Sequence, residues 1–207
     1  MWEFTTAFGW GICLFSVIAE RLFGQRTVSA FVMPVGVALM LVSILYFPPE
    51  LRPLVPALQA NRILGFHVSV MLLAYSAFSV SFGAAVMYLL QNKQDGTLRF
   101  ASLPDRQTLD DVASWAVLIG FPLLALGLAL GAWWANNAWG RYWGWDPKET
   151  AALMTWLIYA FYLHARGLRG WSGTRLAWIL IVGFGAVLFT YFAVNFWISG
   201  LHSYSGV

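Results

Sequence analysis

Three histidines, His67, His164 and His202, are the residues of this sequence best suited to bind a metal. Neutral imidazoles that face each other across a helical bundle are a common way to hold a haem iron axially. The single cysteine, Cys13, has no partner for a disulfide, a Cys-x-x-Cys redox pair or a tetrahedral zinc site. Iron ligation is therefore the first chemistry to consider. The simpler alternative is that each histidine is hydrogen-bonded between helices.

A second group of chemically useful residues lies between positions 133 and 146. Five of the 12 tryptophans fall there: Trp133, Trp134, Trp139, Trp143 and Trp145. One interpretation is an interfacial aromatic belt, which Trp and Tyr form at many membrane surfaces. A belt, however, needs rings scattered over several helices, whereas these indoles share one short connection with Gly140 and Gly144. Because glycines let the backbone approach a flat ligand, this spacing favours a surface for a planar apolar macrocycle.

Membrane helices must position these residues, because 60% of the 207 residues are hydrophobic and only 10% are charged, against about 25% charged residues in soluble domains. Continuous apolar stretches, each close to the roughly 20 residues that cross a bilayer, lie at 4–23, 28–47, 63–90, 112–134, 147–165 and 176–198. They show no alternation that would suit a β-barrel. The sequence predicts an all-α polytopic membrane bundle of about six transmembrane helices, with residues 1–207 as a single transmembrane domain.

The distribution of positive charge predicts the direction of the helices, since cytoplasmic connections carry the excess of Lys and Arg. Eight of the 12 Lys and Arg residues fall on one side of the predicted bundle and four on the other. Both termini and the connections 47–62 and 134–147 are then outside. His67 and His202 lie near the outer ends of the third and sixth helices, and His164 near the inner end of the fifth. The net charge of +3 is dispersed, which predicts no nucleic-acid partner.

The sequence Asp146-Pro147-Lys148-Glu149 has the pattern of a helix start. Asp146 can cap free amides, Pro147 suits the first helical position, and Glu149 completes a capping box. The fifth helix is therefore predicted to begin directly at the aromatic cluster, and capping is the simplest role for Asp146. Arg141 or Lys148 could meet a haem propionate, although solvation at the interface is the simpler interpretation of both.

The run W-G-R-Y-W-G-W-D-P-K-E-T at 139–150 closely resembles the tryptophan-rich WWD signature of the haem-handling protein superfamily, and specifically that of its CcsA (ResC) branch. The signature segment as a whole covers about 133–150. The stretches 54–69, 155–166 and 195–204 are similar to the same branch. The resemblance thus covers nearly the whole chain.

The resemblance implies a role in the system II pathway of cytochrome c maturation, in which CcsA acts with CcsB (ResB) as a holocytochrome c synthase. Haem b, bound non-covalently in transit, would be presented outside to the Cys-x-x-Cys-His motif of an apocytochrome c. His67 and His202 match the family's external haem-iron ligands, and His164 matches a ligand of a second, intramembrane haem. The resemblance assigns the cradle of the external haem to Trp139, Gly140, Trp143, Trp145 and Asp146. The membrane would be a bacterial inner membrane or a thylakoid membrane, with the WWD segment on the periplasmic or lumenal side.

Three alternatives stay open. The sibling branch CcmC also has a WWD segment between two external histidines on six helices, but the sequence at 146–149 and the intramembrane His164 are CcsA-like. A b-type electron-transfer cytochrome would use the histidines but gives no reason for the indole cluster. A secondary transporter would be indicated by internal repeats with paired broken helices, and the sequence shows none.

Overall fold

The computed structural model describes residues 2–46, 62–91, 100–194, 198, 200 and 201, and it is entirely helical apart from turns and connections. Its elements are α1 (Trp2–Phe23), α2 (Arg26–Tyr46), α3 (Arg62–Leu90), α4 (Arg106–Trp139), α5 (Pro147–Gly167), α6 (Thr174–Leu188) and a π-helical segment (Phe189–Ala193). The described ranges contain no β-strand. The predicted all-α class and the six helices are therefore confirmed.

Contacts between helices show that successive helices run in opposite directions. Thr5, near the start of α1, lies 2.9 Å from Tyr191, just beyond the end of α6, measured between the hydroxyl oxygens. Asp110, near the start of α4, pairs with Arg166, near the end of α5. His67, near the start of α3, contacts the last part of α4. The starts of α1, α3 and α5 and the ends of α4 and α6 therefore share one end of the bundle, here termed the tryptophan-rich end.

Helix α3 occupies the centre of the bundle. In its most apolar 18-residue part 78% of the residues are buried, compared with 28–44% in the corresponding parts of α1, α2, α4 and α6. Because lipid chains are as apolar as core side chains, such helices are held together by close packing through small residues. Gly83 accordingly packs on Val32 of α2, and Gly120 of α4 packs on Phe78. The Phe78 ring also stacks on Tyr159 of α5, with centroids 3.6 Å apart.

Five helices of the described part are long and apolar enough to cross a membrane: α1, α2, α3, α4, and α6 continued to Phe192. The chain is an integral membrane protein. Helix α5, predicted as a sixth span, has 21 residues and is about 32 Å long, which exceeds the roughly 30 Å hydrocarbon core. It is less apolar than the other five because its buried side is polar.

The polar side of α5 carries four residues at the spacing of one helix face: Thr155, Tyr159, Tyr162 and Arg166. The Thr155 hydroxyl lies 3.2 Å from that of Thr190, and the Tyr162 hydroxyl lies 3.1 Å from that of Ser114. Arg166 Nη1 is 2.7 Å from Asp110 Oδ2. Polar groups are tolerated in a bilayer when they face the bundle interior and pair there, and Thr155, Tyr162 and Arg166 of α5 are paired in this way.

Helix α4 is much longer than the predicted span 112–134. Its 34 residues extend for about 51 Å. Asp105 caps the start by accepting from Thr108 N, and these hydrogen bonds lower the pKa of the Asp105 carboxyl. Gly140 ends the helix in the left-handed conformation (φ 74°), with its N–H bonded to the carbonyl of Asn136. The apolar pattern marks only the part of α4 that suits lipid, so the prediction missed its polar ends.

The predicted sixth span, 176–198, is not one regular helix. Helix α6 ends at Leu188, and a π-helical segment continues to Ala193. In this segment Thr190 bonds to the carbonyl of Ala186 and faces Thr155 of α5, while Tyr191 reaches Thr5 of α1. The π-helical segment, a rare form frequent at functional sites, thus links the end of α6 to α5 and to α1.

Candidate functional site

His67 lies in the second turn of α3 at the tryptophan-rich end and is half-buried against α4. Its Nδ1 atom is 2.8 Å from the carbonyl oxygen of Gly127. Because a carbonyl oxygen only accepts, Nδ1 carries the proton and donates this bond. The imidazole lone pair then resides on Nε2. Metal-binding histidines are commonly oriented in this way, with the far ring nitrogen donating to a carbonyl.

The same face of α4 connects His67 to the tryptophan cluster. Gly127, Gly131 and Trp134 follow one another at helical spacing, and the imidazole contacts this face at the two glycines. Trp134 comes next toward the end of α4 and is only 1% exposed. The structure therefore brings His67 and the tryptophan-rich segment to one end of the bundle.

The first part of the tryptophan-rich segment is helical, which corrects the predicted connection 134–147. Helix α4 continues to Trp139, so only residues 140–146 are non-helical. The Trp139 ring is half-buried and meets Trp134 edge-on, with centroids 4.7 Å apart. Trp133 is 54% exposed. The cluster thus has a packed part on α4 and a separate part on the connection.

Trp145 has an unusual backbone conformation for a bulky residue. Its φ is 55°, and among the non-glycine residues that the structure describes it alone has a positive φ. The left-handed region costs roughly 1–2 kcal/mol for such a residue. The indole is nevertheless 69% exposed, and it meets the half-buried Trp143 edge-on with centroids 5.6 Å apart. Strain at an exposed aromatic side chain points to binding rather than to packing.

Glu149 holds the backbone on both sides of Trp145. Its Oε2 atom accepts from the N–H of Gly144 at 2.8 Å and from the N–H of Asp146 at 3.1 Å. The second bond, together with the Asp146 cap, forms the predicted capping box. The first was not predicted. One carboxylate oxygen therefore accepts from the N–H groups of the residues on either side of the strained Trp145.

Asp146 is 6% exposed and uses both carboxylate oxygens. Oδ1 accepts from the N–H of Lys148 at 3.0 Å, which is the expected cap, whereas Oδ2 accepts from the N–H of Leu201 at 2.7 Å. Gly200 lies so close that a Cβ there would be 2.6 Å from Oδ2. Asp146 therefore joins the start of α5 to the C-terminal segment. No local pattern at position 146 points to position 201, so sequence reasoning missed this link.

His164 lies at the opposite end of the bundle, in the last turn of α5, with an exposed side chain. It is 18 residues from Asp146, or about 27 Å along the helix, so one iron cannot contact both regions. His164 belongs to an exposed stripe with heptad-like spacing: Met154, Leu157, Phe161, His164 and Leu168. This stripe faces away from the polar side of α5. An ionisable residue on the outer face of a membrane helix is unusual, because such residues generally pair inside a bundle.

The predicted pairing of His67 with His202 is not tested, since His202 lies outside the described residues. Leu201, which precedes it in sequence, is at the tryptophan-rich end. Within the ranges that the structure describes, no group of three or more His, Cys, Asp or Glu side chains could hold a bare metal ion. An iron held in a porphyrin requires fewer ligands from the protein, because the protein supplies only one or two axial ligands.

Comparison with known proteins gives a consistent result. A family model described as "Cytochrome C assembly protein" matches residues 2–202. The cytochrome c biogenesis protein CcsA of Guillardia theta is 39% identical over 94% of this chain and 72% of its own length. Proteins of the same name from Synechococcus elongatus and Gloeobacter violaceus are 37% and 35% identical, each over 94% of this chain and 74% of their own length.

Proposed function

The chain belongs to the cytochrome C assembly protein family and has a role in cytochrome c maturation, and from that premise we propose that it holds haem at its tryptophan-rich end and presents it to apocytochrome c. The cargo in this proposal is non-covalent haem b. The single transmembrane domain 1–207 carries the haem-handling segment at about 133–150. That segment lies on the periplasmic or lumenal side of a bacterial inner membrane or a thylakoid membrane.

One observation carries the proposal: an imidazole oriented through its Nδ1 hydrogen bond and a group of partly exposed indole rings lie at the same end of the bundle. Because Nδ1 donates to the Gly127 carbonyl, Nε2 is the nitrogen of His67 that we assign to the iron. Exposed or half-buried rings at the same end belong to Trp139, Trp143 and Trp145. Fully buried rings would be packing residues, and rings scattered over the bundle would be a belt. The residues present therefore fit a planar iron porphyrin.

His202 is proposed as the second axial ligand. Asp146 fixes the backbone N–H of Leu201 beside the first residues of α5, and His202 is the next residue in sequence. With His67 and His202 on the iron, the tryptophan-rich segment would cover the ring. Gly140 provides an exposed stretch of backbone without a side chain, and Asp146 holds the segment to the C-terminal chain.

The protein residues would contribute binding and orientation. When bound, haem supplies the two vinyl groups to which the acceptor's cysteine thiols add. The two imidazoles would hold the iron, and the indole rings would cover apolar surface of the haem. Trp145 is exposed on a strained backbone, where its indole would be available to contact the haem. This arrangement would position the haem for transfer. The haem would be released when the acceptor's thiols bind it covalently.

The second proposed site is at His164 and is shared with CcsB. The exposed stripe Met154–Leu168 on α5 offers a partner helix an apolar face with one imidazole near its inner end. The spacing of the stripe suits helix packing. Covering the stripe with a CcsB helix would remove His164 from lipid and supply the second ligand for an inner haem. The inner and outer sites would then be an entry and an exit.

The decisive experiment is purification of this chain with CcsB from membranes, followed by an absorption spectrum and a haem stain after denaturation. We expect a haem spectrum in the native complex and no stained band on the denatured chain, since the haem is not covalently held. His67→Gly and His202→Gly should lower the haem content, and added imidazole should restore it. Cys13→Ala is the matched control, because a thiolate is another possible haem ligand.

The outcomes also separate the proposal from a b-type electron-transfer cytochrome. On addition of reduced apocytochrome c, haem presented for attachment should leave this chain and appear as a stained band on the acceptor. Haem that stays bound while changing its redox state would favour the cytochrome. Wild-type haem content in both histidine variants would contradict the proposed site.

A further inference from the structure

We infer that Gly131 and the carbonyl of Gly127 form a seat for the imidazole of His67, and that this seat determines which ring nitrogen faces the iron. The two glycines are therefore positioning residues for haem binding. The inference rests on the proposed function, since it assumes that His67 is a ligand. It adds two residues of α4 that carry no polar side chain and would not be sought as part of a haem site.

The contact between Gly131 and the ring is very close. A Cβ atom at position 131 would lie 2.7 Å from Cε1, 2.9 Å from Nδ1 and 3.4 Å from Nε2 of His67. These are the three heavy atoms nearest to that position, and all belong to the imidazole. Distances below 3.0 Å essentially never occur for a real Cβ atom. Any larger residue at 131 must therefore displace the ring.

Close helix packing alone does not account for this arrangement. Small residues usually let two membrane helices approach, and Gly120 serves this purpose against Phe78 on the same pair of helices. At Gly131, by contrast, the space is occupied by a side chain that could ligate a metal. Glycine in a helix costs about 1 kcal/mol relative to alanine. At position 131 a Cβ would clash with the imidazole, so glycine is the residue that fits there.

The seat acts on the ring in two ways. Gly131 supports the Cε1–Nδ1 edge, while the Gly127 carbonyl accepts the Nδ1 proton at 2.8 Å. Met71, one turn further along α3, fills the space over Gly127. The ring cannot rotate about its axis without losing the hydrogen bond. Its Nε2 lone pair therefore has one direction, and the loss of such a partner typically weakens metal binding about 10–100-fold.

The test uses exogenous imidazole in the complex of this chain with CcsB. In His67→Gly, added imidazole should occupy the vacated seat and restore the haem spectrum. In the double variant His67→Gly/Gly131→Ala the added methyl occupies that space without clashing with any side chain at 67. The protein should therefore fold, but imidazole should rescue haem binding about 10-fold less effectively. The matched control is His67→Gly/Gly185→Ala, which adds the same methyl to α6 at a position where a Cβ would meet nothing within 4 Å, and it should be rescued like His67→Gly.

Each outcome has a defined meaning. Weak rescue in the Gly131 double variant and normal rescue in the Gly185 double variant support the seat. Equal rescue in both double variants overturns it while leaving His67 as a ligand. Full haem content in His67→Gly without imidazole would refute the proposed function itself. A single Gly131→Ala variant of the complete chain gives a second measurement, because its haem content per folded protein should fall about 10-fold or more.

Discussion

Oδ2 of Asp146 accepts a hydrogen bond of 2.7 Å from the backbone N–H of Leu201, 55 residues away in sequence. Oδ1 of the same carboxylate caps α5 through the N–H of Lys148. One buried side chain thus holds the start of α5 and the end of the described chain together. An amide side chain has only one oxygen to accept with, so it cannot replace both bonds.

Asp146→Asn is therefore expected to keep either the cap or the link to Leu201, but not both. Leaving one buried N–H without an acceptor costs about 1–3 kcal/mol. We expect lower thermal stability in detergent and a larger fall in haem content, because the link lies next to His202 in sequence. Haem per folded protein and the unfolding temperature measure the two effects separately.

Asp105 provides the control for this prediction. It caps α4 through Thr108 N at 3.0 Å but lies at the opposite end of the bundle. Asp105→Asn should reduce stability by no more than about 1 kcal/mol, the usual worth of a cap, without changing the haem content. Equal haem loss in both variants would show that Asp146 acts through general stability alone.

Local sequence patterns predicted part of this structure well. Uninterrupted apolar runs located all six helices, and α3 begins within one residue of its predicted start. The signal for α5 was its cap, because Asp146, Pro147 and Glu149 are close in sequence and act on one another. These features depend on residues that are close together in sequence, so they can be recognised from the sequence alone.

Contacts between distant segments were not predictable in the same way. The bond between His67 and Gly127 joins residues 60 apart, and the bond between Asp146 and Leu201 joins residues 55 apart. The positive φ of Trp145 also escaped prediction, since bulky residues rarely adopt it. Position 131 carries no functional group at all. Its role depends on the packing of α3 against α4.

Trp145→Gly should separate stability from function. Glycine adopts positive φ readily, so relief of the backbone strain should raise the free energy of unfolding by about 1 kcal/mol. Haem content and cytochrome c yield should fall, because the exposed indole is lost. Trp145→Phe keeps the strain and most of the ring area, and it should retain more haem than the glycine variant. Lower stability in Trp145→Gly would show that the indole is a packing residue.

The three tryptophans Trp139, Trp143 and Trp145 should be required together for haem binding. If they only anchored the protein at the membrane surface, Phe would replace all three with little loss. We expect the triple Phe variant to lose most of its haem and its cytochrome c synthesis. A triple Phe variant at the exposed or part-exposed Trp10, Trp171 and Trp178 is the control and should stay active. Full synthesis in the first variant would favour the aromatic belt.

His164 should serve a different haem from the outer pair, because about 27 Å of helix separates it from Asp146. With His67 and His202 assigned to the outer site, no histidine of this chain remains as a second ligand for the inner site. The exposed position of His164 in the stripe on α5 allows a CcsB side chain to supply that ligand. The entry site would be where haem made in the cytoplasm first binds.

His164→Ala should therefore deplete haem in the complex of this chain with CcsB at both depths, since haem that cannot enter cannot reach the outside. Haem supplied from the outer side should restore the outer site and cytochrome c synthesis but not the inner site. Phe161→Ala is the matched control, because it trims the same stripe by one large side chain without removing a ligand. If His164→Ala keeps normal haem content and normal synthesis, His164 is a structural residue. If Phe161→Ala loses as much haem as His164→Ala, the stripe acts through packing with the partner helix.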